Sequence, residues 1–171
     1  MRRIHRYEQY CSIARALGVI GDRWSLLLVR ELLYAPKRYS DLLASLTGVS
    51  TNLLAARLRR LERRGVVRRA RLPPPAASAV YELTERGRLL EGVLYALSRF
   101  GVHYLGPPPR GLSLDAESWL YGMHVAFNPA VARRVNATYE FQVEGRTMHV
   151  SVRDARFEAR AGPARQPTVV V

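Results

Sequence analysis

Covalent and metal-based staples are nearly absent from this sequence. Its 171 residues include one cysteine, Cys11, so no internal disulfide can form. The histidines, His5, His103, His124 and His149, have no ligand spacing, and a single cysteine cannot build a structural zinc site. No metal and no cofactor is therefore expected. Lysine is as scarce: Lys37 is the only one among 27 basic residues. No apolar run approaches a membrane-spanning length. The start, MRRIHRYEQYCSIARALGVIG, is basic but lacks the sustained apolar stretch of a signal peptide, and a cytoplasmic location is expected. There is no nucleophile elbow, no phosphate loop and no carboxylate pair in an apolar setting, so an enzyme is not expected.

Acids are also few. Against 27 Lys+Arg stand 14 Asp+Glu, giving a net charge of +13. Such a chain calls for an acidic partner, nucleic acid or an anionic membrane. The excess is uneven. Residues 1–109 hold 19 basic and 8 acidic residues, whereas 110–171 hold 8 and 6. The polyanion site is expected in the first part.

Charge is densest in STNLLAARLRRLERRGVVRRARL, Ser50–Leu72, which carries eight arginines and one acid, Glu62. Leu54, Leu58 and Leu61 recur at i, i+4, i+7, the stripe of an amphipathic helix. Asn52, Ala56, Arg59 and Arg63 fall opposite. Ser50 or Thr51 suits the N-cap and Gly65 the stop. One face is built to pack, and the other gathers like charges that a polyanion would neutralise.

The flanking pattern predicts Cys11–Ile20 as a helix with Ile13, Ala14 and Leu17 on one side. A second helix is expected over Asp22–Tyr34, burying Trp24, Leu27, Leu28 and Leu32 and ending before Pro36. YSDLLASL reads as a short third helix capped by Ser40, and TGVS as a tight turn. After the basic helix, VVRRARL and AVYELT read as a hairpin around a proline-rich loop. Thr84 then caps one long helix through Gly101, whose Leu90, Val93, Leu94 and Leu97 form a stripe that a self-partner could cover. Gly106–Gly111, GPPPRG, is a stiff linker, dividing 1–105 from 112–171. Beyond it Asp115–Phe127 is expected as a helix. An antiparallel meander with one apolar face follows, built on Tyr139, Phe141, Val143, then Met148, Val150, Val152, then Phe157, Ala159, with turns at Glu144-Gly145 and Asp154-Ala155.

Two helices, a tight turn and a hairpin make a helix-turn-helix with a wing. The fold class is α+β: a winged helix-turn-helix followed by a small helix and β-meander unit. In this arrangement the second helix lies in the major groove. Ser50, Thr51, Asn52 and Ala55 or Ala56 are expected near bases, with Asn52 able to contact adenine in bidentate fashion. Arg57 and Arg59 are placed for guanine or phosphate. Arg69 and Arg71 sit on the wing, and Lys37, Arg38 and Ser40 join the contact set before and at the start of the third helix.

Taken together, ALGVIGDRWSLLLVRELL, RYSDL, VSTNLLAARLRRLERRGVVRR and YELTERGRLL resemble the HxlR-type winged helix-turn-helix transcriptional regulators, over about Cys11 to Gly101. The resemblance implies a homodimer on a palindromic operator in double-stranded DNA, usually as a repressor and sometimes as an activator. It implies a dimer interface from the first helix and the helix after the wing, here Ile13, Leu17, Leu90, Val93, Leu94 and Leu97. It also implies that Cys11 matches a cysteine that some members use to sense electrophiles or oxidants, although this chain reads Cys-Ser where many have Cys-Pro. An electrophilic or small hydrophobic effector is the corresponding partner. The tail, ATYEFQVEG…MHVSVRDARFEARAGPARQPTVVV, is similar to a sterol carrier protein-like domain, which implies an apolar ligand. Such domains continue with further strand and helix, whereas this sequence stops at Val171. The competing expectation is a small sheet packed on its own helix or on a dimer partner.

Two other functions fit the charge. A lipid carrier with a membrane-binding basic unit would bind acidic vesicles. A general nucleoid or RNA binder would bind in a salt-sensitive way without an operator. A specific regulator adds a preferred site, typically about 10³-fold tighter or more.

Overall fold

The computed structural model describes residues 7–75, 77–107, 116–143 and 145–171. The chain divides into two units, Met1–Leu94 and Tyr95–Val171. Residues 108–111 of the expected linker, Asp115 at the start of the expected helix, and Glu144 at the first expected turn lie outside the described residues.

The first unit holds α1 (Ser12–Ile20), α2 (Ser25–Glu31), α3 (Tyr39–Ser45), α4 (Thr51–Arg63), β1 (Val67–Arg71), β2 (Ala79–Leu83) and α5 (Glu85–Arg88). β1 and β2 form the antiparallel wing, pairing Val67 with Leu83 and Arg71 with Ala79. Leu28, Val29, Leu42, Leu54, Leu58 and Leu61 are fully buried and make the core. Each supplies about 1.5–3 kcal/mol of burial, which offsets chain entropy.

Three expectations for this unit change. α2 is shorter than Asp22–Tyr34. Asp22 stands outside it and caps it, and at its end Leu33 N–H turns back to Arg30 O at 3.1 Å. This i to i−3 closure tightens the chain ahead of Pro36, whose ring disfavours helix at the preceding residue. α3 is capped by Arg38 rather than Ser40: the Arg38 N–H donates to Asp41 Oδ2 at 3.1 Å, and Ser40 lies in the first turn. The expected long helix after the wing is two pieces, α5 and α6 (Glu91–Gly101), broken where Leu90 N–H bonds Gly87 O at 3.0 Å. Gly87 is required there, because a Cβ would stand 2.1 Å from Val66 O. Thr84 does cap α5, accepting from Gly87 N–H at 3.1 Å and donating to Gly65 O at 2.6 Å.

The second unit contains α7 (Ala116–Ala126) and strands β3 (Ala137–Val143), β4 (Arg146–Arg153), β5 (Arg156–Ala161) and β6 (Val169–Val170). β3, β4 and β5 form the expected antiparallel meander, and Asp154 and Ala155 make its second turn at φ 50° and 58°. The sheet is not purely antiparallel. The chain crosses back so that β6 pairs parallel to β3, giving the order β5-β4-β3-β6. Met148, Val150 and Val152 are buried on the apolar face, where α7 packs on β4 and β5 with Leu120 buried. His124 stacks on Tyr95 with ring centroids 3.6 Å apart and meets Phe157 edge-on at 4.7 Å. On the other face the return segment lies over β3, with Ala164 N–H donating to Glu140 Oε2 at 2.9 Å.

Candidate nucleic-acid interface

The turn before α4 uses Gly48 at φ 89°, a left-handed conformation that suits glycine. Ser50 then caps α4, accepting from Leu53 N–H at 3.3 Å. Tyr39 donates its hydroxyl to Thr51 O at 2.7 Å and ties the start of α3 to the start of α4. The helix divides as its periodicity predicts. Leu54, Leu58 and Leu61 face the core, while Thr51, Asn52, Ala56, Arg59 and Arg63 are exposed, with Ala55 half-buried. Arg59 and Arg63 have no ion-pair partner among the described residues.

A half-buried acid anchors the inner side of the same helix. Asp22 accepts Trp24 and Ser25 N–H groups at 3.2 and 3.1 Å, and the Ser25 hydroxyl at 2.8 Å. It also faces two α4 cations, Arg57 Nε at 3.1 Å and Arg60 Nη1 at 3.6 Å. Arg57 Nε is off the hydrogen-bonding axis and buried without a hydrogen-bond acceptor, so that contact is coulombic. Arg60 reaches on to Gly18 O at 2.8 Å. Arg57, expected at guanine or phosphate, is thus drawn inward with a side chain only 26% exposed.

Lys37 is similarly engaged. Its ammonium lies 2.8 Å from Glu31 Oε2, and Arg30 holds Oε1 at 2.6 Å. Burial pushes the Glu31 carboxyl up, but hydrogen bonds and charge from Lys37 and Arg30 outweigh it and leave the group below its ordinary 4.5. The backbone of Lys37 makes a bridge that the sequence did not announce: its N–H and C=O pair with Tyr81 at 3.0 and 2.8 Å. The segment before α3 thereby joins the wing as a short extra strand. Arg38 Nε follows with a bond to Ser78 Oγ at 2.9 Å, and Arg71 Nε donates to Ala77 O at 3.0 Å. The expected contact residues Arg38 and Arg71 are brought to one wing loop and both stay exposed. Arg69 is exposed over the Tyr81 ring, 5.6 Å from its centroid. Arg68 is matched across the strands by Glu82 at 2.7 Å.

Of the residues expected at a dimer interface, Ile13 is 70% exposed, Leu17 44%, Val93 42% and Leu97 45%. Leu90 is half-buried and Leu94 is buried within the chain. Leu89 and Phe100 are exposed apolar residues that the stripe did not include. Cys11 is exposed at the N-cap of α1, where Arg15 N–H bonds its carbonyl at 3.0 Å. Among the described residues no group of three or more acids, histidines or cysteines could hold a metal ion, and no helix is long and apolar enough to cross a membrane.

Comparison with known proteins gives consistent results. A family model described as HxlR-like helix-turn-helix matches residues 19–108. The chain is 37% identical over 95 residues to the uncharacterized HTH-type transcriptional regulator sll1512 of Synechocystis, covering 56% of this chain and 70% of the relative. It is 34% identical over 120 residues to the uncharacterized HTH-type transcriptional regulator MT3179 of Mycobacterium tuberculosis, covering 70% and 74%. The crystal structure of PA1607, a proposed transcription factor, aligns with a TM-score of 0.53 at 35% identity, over 62% of this chain and 73% of that one.

Proposed function

The chain belongs to the HxlR-like helix-turn-helix family, and we propose that it is a sequence-specific DNA-binding transcriptional regulator that acts as a homodimer, as a repressor, on a palindromic operator. One observation carries this reading. The outer face of α4 presents Asn52 beside unneutralised Arg59 and Arg63, while its inner face is fully buried and its flank is held by Asp22. A helix supported in this way can enter the major groove without losing its place in the core. Asn52 and the neighbouring Ser50, Thr51 and Ala55 are the base-facing group. Arg59 and Arg63 neutralise phosphates, and Arg38, Arg69 and Arg71 extend the backbone contact from the wing. Arg57 and Lys37 act as positioning residues, through Asp22 and Glu31. Exposed Ile13, Leu17, Val93 and Leu97 support self-association.

The C-terminal sheet lays its apolar face on its own α7, which favours a self-packed module over a sterol carrier-like domain that would line a cavity with that face. Control through Cys11 rests on the exposure of its thiol. Oxidant-lifted repression that persists in Cys11→Ser would remove it from the account. The reading as a whole is tested by sequencing genomic fragments retained by the protein across a salt series. One enriched palindromic site is expected, and retention without enrichment would reduce the protein to a non-specific polyanion binder.

A further inference from the structure

Residues 110–171 hold 8 basic and 6 acidic residues, but within the described part of the sheet the exposed charges are uneven. Between residues 133 and 165 seven arginines are all exposed, whereas the exposed acids among the described residues there are Asp154 and Glu158. Glu140 is only 9% exposed and is engaged by the return segment.

The strand register collects part of this charge on one face. Met148, Val150 and Val152 of β4 point to α7, so alternate residues, including Arg153, point the other way. Arg153 pairs with Arg156, and His149 with Arg160, which puts Arg153, Arg156 and Arg160 on that outer face. The return segment covers the face over β3, where Ala164 meets Glu140, and β4 and β5 carry the arginines beside it. Like charges directly opposite each other weaken a sheet. Arg153 and Arg156 have no ion-pair partner among the described residues. The Arg160–Glu158 pair, at 3.6 Å with both side chains about two-thirds exposed or more, neutralises little. An arginine-bearing face whose charges repel one another suits the phosphates of a duplex.

From this we infer that the outer face of β4 and β5 is a second, sequence-independent contact to DNA, gripping the backbone beside the operator. DNA is favoured over other polyanions because the same chain carries the α4 interface, so this inference rests on the function proposed above. Once α4 is docked, the tethered second unit meets nearby DNA at a high effective concentration. Its arginines add affinity and salt dependence but no base preference.

The test uses the full chain and its triple variant Arg153→Ala/Arg156→Ala/Arg160→Ala, with a triple Arg→Lys variant and Arg59→Ala alongside. Each is titrated across a salt series on a random-sequence duplex and on the selected operator, trimmed or with flanks. Far-UV spectra check folding. The alanine triple is expected to lower the slope of log affinity against log salt by about 2–3 on flanked and random DNA. It should leave the trimmed operator, and the ratio of flanked operator to random duplex, nearly unchanged, and the lysine triple should retain the wild-type slope. An unchanged slope in a folded alanine triple overturns the inference. So does arginine-dependent binding to phosphatidylserine vesicles with DNA slopes unchanged, which would make the face a membrane contact. Should no operator emerge and Arg59→Ala have no effect, the α4 reading fails, while the random-duplex slope still decides the sheet.

Discussion

Asp22 Oδ1 lies 3.1 Å from Arg57 Nε while it accepts the N–H groups that open α2. A single carboxylate therefore caps one helix and holds the flank of the next. Asp22→Ala removes the cap and leaves Arg57 and Arg60 without their acid. Loss of such a half-buried acceptor costs about 1–2 kcal/mol, the lower part of the range for a buried one. For a chain of this size that lowers the melting temperature by roughly 2–4 °C per kcal/mol. Asp22→Asn keeps an acceptor for the α2 N–H groups and should lose less. Equal melting of all three proteins in a thermal scan would show the joint to be idle.

Arg57 and Arg59 are two residues apart and should behave oppositely. Arg59→Ala is expected to leave urea melts within about 0.5 kcal/mol of wild type and to reduce the DNA salt slope by about one. Arg57→Ala should lower stability and reduce DNA binding only through the weaker positioning of α4. An Arg57→Ala protein that melts normally but has lost a phosphate contact would reverse these roles.

Glu31 gives a pH signature. Its folded-state carboxyl is held below 4.5, so its unfolded form binds a proton first as pH falls. The stabilisation is fully present above the unfolded value and is lost as pH drops through the lower folded value. Glu31→Gln should thus be less stable than wild type near neutrality, and the gap should narrow in acid below about pH 4.5. Urea midpoints measured from neutral to acidic pH check this. A gap that is constant with pH would place the effect in packing rather than in charge.

Val93 and Leu97 are exposed one helical turn apart on α6, and a homodimer would cover them. Leu97→Glu should halve the mass seen by light scattering and weaken operator binding much more than random-DNA binding, since two half-sites are then no longer joined. A wild-type mass equal to one chain, or a variant that stays dimeric, would contradict that interface.

Much of the first unit was legible because helix signals are local. Leu54, Leu58 and Leu61 declare the buried stripe by spacing alone; of Ser50 and Thr51, both open as caps, Ser50 caps α4, and Thr84 caps the helical turn after the wing. What was missed depends on residues far apart in sequence. The Lys37–Tyr81 bridge spans the whole helix-turn-helix, and nothing local marks Lys37 as a strand residue. The approach of Arg57 to Asp22 joins residues far apart in sequence, and only the fold brings them together. Gly87 passes close to Val66 O just before the α5–α6 break, and the stripe that begins at Leu90 reveals neither. In the second unit alternation revealed β3, β4 and β5. β6 is two residues long, too short to show a period, and its parallel pairing needs the crossover.

Base reading by α4 is decided by Asn52→Ala in competition between the selected operator and random duplex at fixed salt. The operator-to-random ratio should fall by about tenfold or more, the cost of one bidentate base contact, while random-duplex affinity and its salt slope stay as in wild type. A ratio that is unchanged, or that falls only because all DNA binds more weakly, would contradict base reading by this helix.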